Sequence, residues 1–240
     1  MKAQPIIMQK EAAESTWDGR KSQIRHPLDN RLQVLFNEHH FQYADDIFVN
    51  QSGNVEIIMG DLQDIESCFD RIDYQLIHNN HYVKCPFGKV DDLLWVREGL
   101  QLRPMINRQS LNAAENMEVA ACYEASPDII AQLPYMGRTD YEYIDPKFMR
   151  RSLSRLTLKI TSIRIERLHD ISHEDAVKEG CSNANHVASF KGEAQNLFKK
   201  RWLDTHGKRS WNNNPWVWVI DFELIKQNVD HYINQQTYRH

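Results

Sequence analysis

What this chain lacks narrows it first. No apolar run approaches the roughly 20 residues a membrane-crossing helix needs. The opening MKAQPIIMQKEAAES has neither an apolar signal core nor a small-residue cleavage site. The expectation is a cytoplasmic protein with no membrane partner. Cysteine is scarce: Cys68, Cys85, Cys122 and Cys181 are widely scattered, with no CxxC pair. They read as small buried thiols in a reducing compartment, not as a disulfide framework. The 11 histidines make no ligand pattern either. His39 and His40 are adjacent and point to different sides. His78 and His81 flank Asn79-Asn80 with no cysteine or carboxylate at metal-ligand spacing, so no metal and no cofactor is expected. Strong charge of one sign is also missing. A net charge of −4 argues against non-specific binding of duplex DNA, which needs a broad cationic face, while leaving room for a local basic pocket for one nucleotide. No internal repeat or low-complexity tract occurs.

What remains is ordinary soluble composition, 41% hydrophobic and 26% charged over 240 residues, enough for one large domain or two small ones. Lys10 to Trp17 reads as a short helix stopped by Gly19 in the left-handed region. A basic turn follows, Gly19-Arg20-Lys21-Ser22-Gln23-Ile24-Arg25. Lys21 and Arg25 lie four residues apart, so a turn or a first helical coil could aim both at one anionic or carbonyl-bearing ligand. From Asn30 to Tyr82 the pattern is irregular, with two short strands across Phe48–Ile58 around a Gly53 turn and a brief helix over Asp61–Asp70. Cys85-Pro86-Phe87-Gly88 marks a turn before an apolar strand, Leu93–Glu98. Leu100–Tyr143 is weakly periodic and reads as an insertion, within which Asn112–Tyr123 fits strand or helix equally.

The most regular strand starts at Leu156 and runs through Ile165, with a change of phase at Thr161-Ser162. Arg150, Arg151, Arg155, Lys159, Arg164 and Arg167 make it basic, consistent with a solvated sheet face. Ser172 starts a helix as its cap, with Asp175 placed to reach back to it, and Glu179-Gly180 ends it. A second helix over Gly192–Leu203 carries Ala194, Leu197, Phe198 and Trp202 on one stripe. Pro215–Phe222 is a near-continuous apolar strand, fit for a central position. The tail after Gln227 is polar and expected to fray. Strands outnumber helices without βαβ alternation, so the fold class is α+β: a mixed β-barrel with flanking helices.

These segments, in this order, resemble the ASCH domain family, a branch of the PUA-like β-barrels, and are closest to ASCH-type proteins of bacteriophages and prophages. The matching pieces are Gly19–Arg25, Cys85–Gly88 with Leu94-Trp95-Val96-Arg97-Glu98, Ser154–Leu158, Arg167–Gly180 and Asn214–Phe222. The resemblance implies a single domain over 1–240, with variable insertions at about 30–82 and 100–145 and a frayed tail at 228–240. It further implies a nucleotide-sized cleft, association with RNA, and in some members an amidohydrolase that removes the acetyl group of N4-acetylcytidine. That active site uses a lysine in a Gly-Lys-Thr turn, a threonine three residues on, and a glutamate ending a helix. Carried over, the lysine is Lys21 and the glutamate is Glu179, while the threonine position holds Ile24, which has no hydroxyl.

The candidate catalytic residues are therefore Lys21 and Glu179. Ser22, Arg25, Trp95, Arg97, Glu98 and Trp218 are candidate substrate-binding residues. A lysine–glutamate pair of this kind is compatible with a structural ion pair, a ligand clamp or a catalytic couple. A glutamate at a helix C-terminus runs against the dipole, where a structural role would favour Lys or Arg. Trp95 and Trp218 fit core positions, or a base-stacking platform if one faces a cleft. Arg97 and Glu98 point to opposite faces of their strand. The expected partner is RNA or a modified nucleoside. The alternatives are a non-catalytic RNA reader and a phage accessory protein that binds a host protein through the 100–143 insertion.

Overall fold

The computed structural model describes residues 2–38, 46–49, 55–58, 85–102, 121–123, 125, 142–181 and 192–237. The protein is α+β, with a mixed sheet and helices packed on it. Its chain falls into two compact units: Met1–Lys21 with Leu93–Lys159 and Glu223–His240, and Ser22–Asp92 with Ile160–Phe222. The expected helix over 61–70, the loop around His78–His81 and most of the 100–145 insertion lie outside the described residues.

In the first unit, β1 (Ala3–Ile7) runs parallel to β5 (Leu93–Arg97), with Ala3 opposite Leu93 and Ile7 opposite Arg97. β5 pairs antiparallel with the first residues of β9 (Thr157–Arg167), Leu94 facing Leu158. Helix α1 (Lys10–Trp17) ends where Gly19 takes φ +75°, as its sequence predicts. A small sheet of β6 (Leu100–Leu102), β7 (Ala121–Tyr123) and β8 (Glu142–Ile144) has β6 in the middle. Over Val229–Thr237 the polar tail is a helix, α5 in the numbering used below, where its composition predicts fraying. Its Val229 is fully buried against Leu93 and Trp95, with Tyr232 and Ile233 packed alongside. Three apolar residues at helical spacing outweighed the polar composition between them.

In the second unit, β10 (Trp216–Ile225) is flanked by β9 and by β2 (Gln23–Pro27). The β10–β2 register pairs Val219 with Arg25 and Asp221 with Gln23. β3 (Asp46–Val49) and β4 (Val55–Ile58) form a hairpin, and β3 also meets β9 at Phe48↔Arg164. The irregular stretch after Asn30 opens with helix α2 (Asn30–Glu38), whose Phe36 meets Trp216 edge-on at 5.3 Å. α3 (His173–Lys178) follows the predicted start, Ser172 Oγ accepting from the Asp175 amide, and Gly180 closes it at φ +78°. α4 (Glu193–Asn212) is longer than the sequence suggests and is broken at Gly207, φ +79°. Ala194, Phe198 and Trp202 of α4 pack with Ala176 of α3 on Val217 and Val219 of β10. Trp216 to Ile220 are all buried, so both faces of this strand are covered, as their continuous apolar run predicts.

Candidate functional site

β2 is a strand, not the turn or helical coil expected for it, and its period of two decides which side chains work together. Gln23 and Arg25 are buried on one face, and Ile24 is turned to the other with intermediate exposure. β9 repeats the device with Ser162, Arg164 and Glu166 at alternate positions, set against buried Ile163 and Ile165. This shift of phase from Leu158 and Ile160 to Ile163 and Ile165 is the one the sequence shows at Thr161-Ser162. β10 contributes Asp221 between them, and α3 adds Asp175 with Glu179 as its C-cap.

These side chains form one ionic cluster. The guanidinium of Arg25, fully buried, donates through Nη2 to Glu166 Oε2 at 2.9 Å and Asp175 Oδ2 at 3.1 Å. Its Nη1 lies 3.6 Å from Glu179 Oε1 and also donates to Gln23 Oε1. Arg164 donates to Glu166 through Nε, to Asp175 Oδ2 at 2.9 Å and to Asp221 Oδ2 at 2.9 Å. The Gln23 amide bridges Asp175 Oδ1 (3.0 Å) and Asp221 Oδ1 (2.7 Å), and Ser162 donates to Asp221 at 2.6 Å. Phe198 closes the apolar side, its ring centroid 5.9 Å from the Arg25 guanidinium.

Burial pushes the Asp175 carboxyl up, but the Gln23 hydrogen bond and the charges of Arg164 and Arg25 outweigh it and leave the group below its ordinary value. Burial draws Arg164 down, yet Glu166, Asp175 and Asp221 more than restore it and raise it overall. Asp175, expected to reach back to Ser172, spends its carboxylate on Gln23, Arg25 and Arg164 instead. Two guanidiniums and an amide within reach outbid one backbone amide. Arg164 is likewise no solvated face residue. Glu179 tolerates its helix end because Arg201 of α4 supplies the cation there, donating to the Gly180 carbonyl at 3.0 Å.

The remaining candidates separate clearly. Lys21 is buried, 7% exposed, its amide held by the Ser15 carbonyl at 2.9 Å after the Gly19 reversal. Glu179 is 6% exposed. Ser22, which follows Lys21 in the chain, donates its amide to the carbonyl of Lys178, which precedes Glu179, at 2.8 Å. The Ser22 carbonyl accepts from Phe222, so this residue is fixed by backbone bonds in both directions. Trp218 is fully buried in the core of its unit, and Trp95 packs on Val229 in the other. Neither is a stacking platform. Arg97 donates to the Lys147 carbonyl and lies over the Trp95 ring. Glu98, its strand neighbour, is 1% exposed and takes a two-point bond from Arg155, at 2.9 Å to each oxygen. The Arg155 guanidinium lies over the rings of Tyr123 (4.0 Å) and Trp17 (4.3 Å). That pair is a buried structural tie, not a ligand site. Among the described residues no group of three or more His, Cys, Asp or Glu is arranged to hold a metal ion. Cys85 is a buried thiol, pushed up to about 11 by its burial, which makes it inert.

Gln23, Arg164, Glu166, Asp175 and Asp221 were not candidates from the sequence. For Gln23, Arg164 and Glu166 the signal is polar residues at every second position of a strand; Asp175, on a helix, and Asp221, alone in an apolar run, carry no such signal. Compared with protein-family models, with curated proteins and with solved structures, the chain matches none.

Proposed function

We propose that the chain is an ASCH-type protein of the PUA-like barrel class that binds RNA or a modified nucleoside and hydrolyses an N-acyl group on the base. The observation that carries this reading is Glu179, a buried carboxylate at a helix end, held 3.6 Å from a fully buried Arg25 that Glu166 and Asp175 also orient. A buried carboxylate ending a helix, where a purely structural residue would be basic, supports a chemical role. In this reading Lys21 takes a proton from water, whose oxygen attacks the acyl carbon. The C–N bond then breaks as the proton taken up by Lys21 is relayed through Glu179 to the departing nitrogen, and a carboxylic acid and the free amine result. Ile24 offers no hydroxyl and is turned away from Arg25, so the attack is direct, without a covalent enzyme intermediate. Arg25, with its guanidinium committed to carboxylates, positions Glu179 and does not touch the substrate oxygen.

The test is incubation with N4-acetylcytidine and related acylated nucleosides, followed by mass spectrometry. Turnover lost in Lys21→Ala and in Glu179→Gln supports the enzyme. The missing hydroxyl at Ile24 favours a second reading, a non-catalytic reader, which saturable binding without product would identify. Neither binding nor turnover would end both.

A further inference from the structure

The two outermost strands of the large sheet share a feature that the chemistry above does not use. Among the described strands β1 pairs with β5 alone and β2 with β10 alone. The bonds at the ends of β1 fix which residues turn their backbone inward. Met8 donates its amide to the Arg97 carbonyl at 2.9 Å, and the Lys2 carbonyl accepts from Leu93 at 2.8 Å. With Gln4 opposite Leu94 and Ile6 opposite Val96, the even-numbered residues give their backbone groups to β5. Ala3, Pro5 and Ile7 therefore aim theirs outward. In β2, Leu28 donates to the Trp216 carbonyl and Ser22 accepts from Phe222, so the backbone groups of Gln23, Arg25 and Pro27 point away from β10. Among the described strands only β1 and β2 contain proline, and both prolines stand where a missing N–H costs the ladder nothing. The two edges differ in cover. Gln23 and Arg25 are buried, whereas Pro5 is exposed and Ile7 is 50% exposed.

We infer that the outer edge of β1 is a latent pairing surface for a second copy of this chain, and that Pro5 is the residue that keeps it closed. The stretch Ala3–Met8 reads Ala-Gln-Pro-Ile-Ile-Met, without a charge. Apart from its proline it is a short, uncharged, apolar segment of the kind that pairs with copies of itself. It is also its own complement. Antiparallel pairing about residue 5 sets the small Ala3 of each copy opposite Ile7 of the other, and these residues exchange N–H···O bonds in both directions. At the centre Pro5 meets Pro5, and neither has an N–H for the other's carbonyl. Sliding the strands puts Pro5 opposite Ala3 or Ile7 instead and still leaves a carbonyl without a donor. Any other residue at position 5 completes the ladder, and the exposed Ile7 side chain adds apolar contact. Growth stops at a twofold dimer, because each copy spends its β1 edge in the pair. The inference rests on strand register and exposure, and not on the proposed hydrolysis.

The experiment is sedimentation velocity over a series of protein concentrations. It compares the native protein with Pro5→Val, with Pro5→Ala, and with Pro5→Val that also carries Ile7→Lys. Both single variants are expected to gain a concentration-dependent species of twice the native mass. Pro5→Val should form it at lower concentration, since valine also favours the strand. Pro5→Ala restores the N–H with little added apolar surface, so association by it too assigns the effect to the backbone donor. The added lysine places a charge on the edge and should return the protein to the native mass. Hydrogen exchange on the native protein reads the same edge without any substitution. The outward Ile7 amide should exchange fast and the Met8 amide, bonded to Arg97, slowly. Native sedimentation by both single variants would overturn the inference. So would association that survives Ile7→Lys, or an Ile7 amide protected in the native protein.

Discussion

Two arginines, one in each unit, meet their carboxylates in opposite ways. Among the described residues, Arg155 is bound at two points by one carboxylate, Glu98, and lies over two aromatic rings. Arg25 shares itself among Glu166, Asp175, Glu179 and Gln23, and two of those acids are also held by Arg164. An exclusive pair has one low-energy arrangement and suits a structural tie. A shared one has partners that compete, so its charge can be redistributed when a ligand arrives. The number of carboxylate partners among the described residues separates the two.

Breaking the Glu98–Arg155 pair should have the largest effect. Glu98→Gln removes the buried carboxylate that holds Arg155 at two points and is expected to cost about 3–5 kcal/mol in urea unfolding, with no change at the second unit's cluster. Arg25→Met removes a cation from a network that Arg164 still serves. Its cost should be smaller, about 2 kcal/mol, but nucleoside binding or turnover should fall sharply because Glu179 loses its anchor. If the stability costs came in the reverse order, the contrast between exclusive and shared partners would not stand.

Asp175→Asn sharpens the same contrast through pH. Gln23, Arg164 and Arg25 hold the Asp175 carboxyl below its ordinary value of 3.8, so folding favours the charged form. Its stabilisation is therefore complete above that value and is lost as the pH falls through the lower folded-state value. The stability gap between the native protein and this variant should be constant near neutrality and close below about pH 4. A gap independent of pH would show that Asp175 acts by shape alone. The smallest effect belongs to Arg151→Ala. Its two-point bond to Asp230 lies at the surface, and losing it should cost about 0–1 kcal/mol, less in high salt. A larger loss there would mean that exposure does not discount ion pairs in this protein.

Much of the frame was legible before the structure. The Gly19 stop, the Ser172 cap, the Glu179-Gly180 end, the phase change in β9 and the doubly covered β10 all follow from local rules that need only near neighbours. The polar tail is the exception: its composition predicts fraying, while Tyr232 and Ile233 follow Val229 by three and four residues, enough for one packed face. The partner choices were not legible at all. Asp175 looked like half of a cap, and Arg164 like one base on a wet face.

Period and punctuation in the sequence by themselves determined where α1, β9, α3 and β10 run and which of their side chains share a face. They placed Gln23 beside Arg25, and Arg164 beside Glu166, once each stretch is known to be a strand. Only the tertiary structure decided that Arg25 meets Asp175, 150 residues away, and that Glu98 goes to Arg155 and not to water. The physical reason is range. Backbone propensity acts over a few residues, whereas a buried charge must find its counterpart wherever the packing of strands and helices brings one.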